Sequence, residues 1–210
     1  MPSEESPMSL KLGGDFSTDL LDQIILRYRQ NIELATSLVN WASVHLLARE
    51  LERCWKSNNQ ILICGNGGSG ANAEHIANDL LYGISKKMGV GIRSKALTAN
   101  SAVLSCLAND EGYDNVFAYQ LAVDAKDEDI LLVLSGSGNS PNILNVIKEA
   151  QGRKIKTFGI LGYQGGKAKD MLDVAIHTPI NDMQVSEDIQ MIILHTLSQW
   201  LFESYTDIQS

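Results

Sequence analysis

Two hydrophobic rhythms divide this chain. From residue 16 to about 57, apolar side chains recur at three- and four-residue steps. Leu20, Leu21, Ile24, Ile25, Tyr28 and Ile32 come first, then Trp41, Val44, Leu47, Leu51 and Cys54. That period lets an α-helix bury one face, so the segment predicts a packed helix pair. Beyond it, short apolar runs at 60–64, about 94–98, 129–134, 156–161 and 173–177 predict strands. Helical patterns at about 70–85, 100–108, 114–123, 140–152 and 166–171 separate them, and a long apolar helix at about 186–204 closes the chain. Strands alternating with helices imply a parallel sheet wrapped on both faces. The expected fold class is α/β: three α/β/α layers, a five-stranded parallel sheet, N-terminal helices and a long C-terminal helix.

Outside that pattern, residues 1–15 are polar, with Pro2, Pro7 and Gly13-Gly14, and read as a flexible leader. Residues 16–210 read as one domain, with no repeat and no low-complexity linker. Of the 210 residues 44% are hydrophobic and 20% charged, enough apolar material for a sizeable core and incompatible with disorder throughout. The formal charge of −8 opposes a nucleic-acid backbone or an anionic membrane, so neither is an expected partner. No apolar run approaches the roughly 20 residues of a membrane span. The start lacks a basic stretch followed by an apolar one, so no secretory signal is expected. Cys54, Cys64 and Cys106 are odd in number and lack metal-type spacing, which fits reduced thiols in the cytoplasm.

In open α/β sheets, ligands sit where strand ends lead into helices. Two such turns are rich in glycine and serine. Gly65-Asn66-Gly67-Gly68-Ser69-Gly70 follows strand 60–64, and Ser135-Gly136-Ser137-Gly138-Asn139-Ser140 follows strand 129–134. Glycines allow close approach of the backbone, and the next helix offers free N–H groups and a positive dipole end to an anion. The serine hydroxyls add donors and helix caps. Either turn alone also reads as a tight strand-to-helix connection; two together point to a cradle for one phosphate monoester. The first turn matches G-x-G-x-x-G, but the following strand, Arg93-Ser94-Lys95-Ala96-Leu97-Thr98, lacks the acid that a dinucleotide ribose needs. The P-loop pattern is absent, so neither a nicotinamide or flavin enzyme nor an NTPase is expected.

Two pairs of histidine and carboxylate fall on expected helices. His75 and Asp79 are four apart and share a face. Glu187 and His195 are eight apart, about 12 Å along a continuous helix, too far for one small ion. Either the helix starts after Glu187, or the two serve different sites across a subunit interface. Asn109-Asp110, after an apolar helix, fits either the same strand ends or an ordinary Asx-type turn. His45 and His177 lie in packing patterns.

At these residues the chain resembles the sugar isomerase (SIS) domain family and, within it, the phosphoheptose isomerases, over about residues 20–205. The resemblance is carried by Cys64-Gly65-Asn66-Gly67-Gly68-Ser69 with Ala73-Glu74-His75, and by Asn109-Asp110-Glu111-Gly112-Tyr113. Ser135 to Ser140, Gly159-Ile160-Leu161-Gly162 through Gly165-Gly166, and His195-Thr196-Leu197-Ser198-Gln199 complete it. It implies an SIS-type sheet, a homotetramer with active sites between subunits, and zinc-assisted conversion of sedoheptulose 7-phosphate to a heptose 7-phosphate through an enediolate.

By the same resemblance, Asn66, Gly67, Gly68, Ser69, Asn109, Asp110 and Glu187 line the sugar, and Ser135, Gly136, Ser137 and Ser140 hold the phosphate. His75, Asp79, Glu187 and His195 form the metal set, with Asp79 and His195 catalytic. Such a set suits zinc, and equally manganese or iron. The family carries Glu where Asp79 stands, Gln where Glu187 stands, and Thr where Gly136 stands. Aligning Glu187 and His195 requires a one-residue gap; without it Gln190 and Ser198 take those places. The resemblance also admits a non-catalytic SIS protein that binds a phosphosugar or a protein, and an isomerase for another sugar phosphate.

Overall fold

A computed structural model describes residues 17–84 and 89–208. Residues 1–15, the expected leader, lie outside them. Helices α1 (Thr18–Leu38) and α2 (Trp41–Lys56) open the fold. Ser17 starts α1 by accepting the Leu20 N–H, and Asn40 starts α2 by accepting that of Ser43. Then come β1 (Gln60–Gly65), α3 (Gly67–Asn78), β2 (Arg93–Ala96), α4 (Ser101–Asp110), α5 (Val116–Asp124) and β3 (Ile130–Ser135). The chain ends with α6 (Pro141–Gly152), β4 (Lys156–Leu161), the single turn α7 (Ala168–Met171), β5 (Val174–His177) and α8 (Met183–Ile208).

All four strand pairings are parallel, in the order β2-β1-β3-β4-β5. The two directions of winding part between β1 and β3, which is where a doubly wound sheet opens a crevice for ligands. Both glycine-rich turns leave from these two strands. Alternation along the buried strands feeds two cores. Ile61, Ile63, Ile130, Leu132 and Leu134 pack toward α1, α2, α3 and α8. Leu62, Cys64, Leu131 and Val133 pack toward α5 and α6. Burying such a side chain is worth about 1.5–3 kcal/mol. Among the described residues no helix is long and apolar enough to cross a membrane.

The structure departs from the expected elements at three places, and each one shapes the site. The helix expected at 70–85 begins at Gly67 and finishes in a π turn, Asp79–Gly83. The helix expected to end at 108 runs on through Asn109 and Asp110, so those two residues form its last turn and not an Asx-type turn. Gly112, with φ +82, stops it. The last helix begins at Met183, not near 186, because the Asp182 carboxylate accepts the Val185 N–H at 3.1 Å. Glu187 is therefore inside α8, on one continuous helix with His195.

Candidate active site

The first turn carries Asn66 in the extended conformation of a helix N-cap, but its side chain does not cap α3. Its amide instead meets that of Asn142 in two hydrogen bonds: Asn66 Nδ2 donates to Asn142 Oδ1 and Asn142 Nδ2 to Asn66 Oδ1, each 2.9 Å. The Tyr113 hydroxyl also donates to Asn66 Oδ1, at 3.0 Å. Ser69 is buried, and its hydroxyl accepts from Gln190 Nε2 at 3.0 Å.

In the second turn the Ser135 hydroxyl accepts the Gly138 N–H, and that of Ser137 accepts the Asn139 N–H. Ser140 precedes Pro141, the first residue of α6, and its hydroxyl does not cap the helix. The turn is locked from behind. Gly138 adopts φ +65, and a β-carbon there would strike the Gly165 carbonyl. The Ala168 N–H bonds the Gly138 carbonyl, and the Lys167 N–H bonds Asn139 Oδ1.

The start of α8 closes over both turns. Met183 lies on Gly136, where its sulfur would be 2.6 Å from a β-carbon. Glu187, one turn further, lies on Gly68 so closely that a β-carbon there would fall on its carboxylate. Asn72 holds this arrangement by donating to the Glu187 carbonyl and to Gln190 Oε1, both at 3.0 Å.

Further along α3 and α8, three ligating groups converge. His75 Nε2 and His195 Nε2 are 3.1 Å apart, and Asp79 Oδ2 lies 3.4 Å from the first and 3.7 Å from the second. Asp79 opens the π turn, a form that recurs at functional sites because it re-aims side chains within a helix. These three offer ligand atoms within 4.8 Å of one another, the donor chemistry of a two-histidine, one-carboxylate site for a divalent ion. Glu187 is not in this group, as its two-turn offset from His195 requires. Gln190 and Ser198 point elsewhere: Gln190 is buried on Ser69 and Asn72, and the Ser198 hydroxyl is buried without a partner among the described residues.

Of the residues expected from sequence, the structure joins His75, Asp79 and His195, and sets Glu187 against the first turn. Asn109 and Asp110 bond each other on exposed helix surface, where Cys106 also donates to Asp110. Asn142, Tyr113 and Met183 were not anticipated. Asn142 carried a signal: it is a polar residue on the face of α6 that also holds Val146, and it is 1% exposed.

A parallel sheet with two glycine-rich turns at its switch point and an imidazole–carboxylate cluster on the helices packed there defines a doubly wound α/β protein with a candidate ligand crevice. Residues 17–162 match the SIS domain. The chain is 39% identical to a phosphoheptose isomerase of Aliarcobacter butzleri over 69% of this chain and 76% of that protein. It is 34% identical to one from Helicobacter pylori over 85% of this chain and 92% of that protein. The solved phosphoheptose isomerase from Francisella tularensis superposes with a TM-score of 0.79 at 27% identity, covering 90% of this chain and all of that one. The chain belongs to the SIS domain family, and within it to the phosphoheptose isomerases, a family of aldose–ketose isomerases.

Proposed function

We propose that this chain converts sedoheptulose 7-phosphate to a heptose 7-phosphate in the cytoplasm. One observation carries the reading: the convergence of His75, Asp79 and His195 where α8 packs on α3, the helix that the first glycine-rich turn opens. The turn 135–140 receives the phosphate on backbone N–H groups and the Ser140 hydroxyl, with Ser135 and Ser137 shaping the loop. The sugar lies along Asn66 to Ser69, with Glu187 accepting from its hydroxyls.

Moving the carbonyl between C1 and C2 needs a base that takes a proton from one carbon and returns it to the next. It also needs an acid for the oxygens. Asp79 is the base in this reading, and His195 exchanges the hydroxyl proton. His75, Asp79 and His195 fit a divalent ion, Zn²⁺ by the resemblance, and a bound ion would supply polarisation of the carbonyl. Glu187 would join that set only from a neighbouring subunit. The exposed apolar face of α1, including Leu20, Leu21, Ile24 and Ile25, supports a homotetramer.

The test is turnover of sedoheptulose 7-phosphate by purified protein, with added zinc and after chelation. Metal-dependent product is the expected result. Binding of this sugar with no product in either condition would sink the isomerase reading and leave a phosphosugar-binding protein.

A further inference from the structure

We infer that Asn142 is a positioning residue that keeps the start of α3 open to ligand by holding Asn66 away from it. The inference deepens the sugar phosphate reading and rests on it for the consequence in binding, though not for the geometry.

Asn is among the best N-cap residues because its side-chain oxygen accepts an N–H from the first turn of its own helix. At the starts of α2 and α4 that is what it does: Asn40 accepts from Ser43 and Asn100 from Val103. Asn66 has the same backbone placement, with φ −110 and ψ 148, and does not cap α3. An amide oxygen has two lone pairs. On Asn66 both are taken, one by Asn142 Nδ2 at 2.9 Å and the other by the Tyr113 hydroxyl at 3.0 Å.

The N–H groups of Gly67, Gly68 and Ser69 consequently have no acceptor among the described residues. They lie just after β1, at the switch point of the sheet. Asn142 is well suited to this task. It is 1% exposed, and its own oxygen accepts from Asn66 Nδ2, so the pair is closed on itself and its orientation is determined. Because Asn142 is the second residue of α6, the pair also fixes the spacing between the two ligand turns.

Removing Asn142 therefore frees a competitor. With one lone pair released, Asn66 turns back onto the Gly68 or Ser69 N–H, and a donor meant for the sugar is lost. One such hydrogen bond is worth about tenfold in affinity.

The experiment compares wild type, Asn142→Ala, and Asn66→Gly combined with Asn142→Ala. It measures amide hydrogen exchange at Gly68 and Ser69 by NMR, and KM and kcat for sedoheptulose 7-phosphate. Asn142→Ala should slow exchange at one of these amides and raise KM about tenfold, with kcat held within about threefold. In the double variant, no side chain remains at position 66 to turn back, and exchange at Gly68 and Ser69 should return toward wild type. KM is compared only between wild type and Asn142→Ala, because in this reading Asn66 itself lines the sugar. A double variant whose Gly68 and Ser69 amides exchange as slowly as those of the single would overturn the proposal, since no side chain is left at position 66 to cap them. So would unchanged exchange, or an unchanged KM, in Asn142→Ala. If the exchange pattern is as expected but wild type neither binds nor turns over the sugar, the clamp stands and the sedoheptulose reading falls.

Discussion

The Glu187 carboxylate occupies the space that a side chain at Gly68 would need. This contact ties α8 to the first ligand turn and places an acid beside the first N–H groups of α3, where the helix dipole favours negative charge. Gly68→Ala should push Glu187 aside, lowering stability by about 1–3 kcal/mol and sugar phosphate turnover with it. Adding Glu187→Ala should restore the stability, read by urea denaturation, without restoring the turnover. A Gly68→Ala protein as stable as wild type would show that Glu187 has room to move.

The imidazole pair gives a sharper test. His195→Ala removes the group that meets His75 at 3.1 Å, and should abolish turnover while leaving the fold intact, because His195 is half exposed. Metal content per chain should fall in the same variant, and in Asp79→Asn. Full activity in His195→Ala would remove this cluster from the reaction.

In the second turn the structure separates the serines. Ser135 and Ser137 accept from the turn's own N–H groups, whereas the Ser140 hydroxyl does not cap α6. Ser140→Ala should therefore raise KM for the sugar phosphate by about tenfold at little cost in stability. Ser135→Ala should lower stability as well, since it leaves the Gly138 N–H unpaired in a buried site. Equal thermal shifts for the two would contradict this division.

Much of the architecture was legible in the chain because it depends on period. The five apolar runs became the five strands, and the 3–4 spacing of residues 16–57 became α1 and α2. The two strand-to-helix turns were legible because glycine and serine cluster right after buried strands. Helix ends were less so. Asn109 and Asp110 look like a turn, but nothing stops α4 before Gly112, so they complete the helix. The span between Glu187 and His195 was open until the Asp182 cap placed the start of α8. Asn142 and Tyr113 act across 76 and 47 residues to reach Asn66, and no local pattern contains such a pairing.

Far from the crevice, Glu50 on α2 accepts from Lys156 at the start of β4 and from Arg53, at 2.6 and 2.8 Å. Burial pushes the Glu50 carboxyl up, but the two cations outweigh it and hold it below its ordinary value. A carboxylate lowered in this way contributes stability above its unfolded pKa, and that contribution is lost as pH falls through the folded one. Glu50→Gln should thus be less stable than wild type at neutral pH. The gap should narrow as pH drops below about 4.5, the ordinary value of the group. Urea denaturation of both proteins between about pH 3 and pH 7 tests this across the titration range of a carboxylate. A gap that stays constant over that range would mean that Glu50 acts there through packing, and that its charge adds nothing.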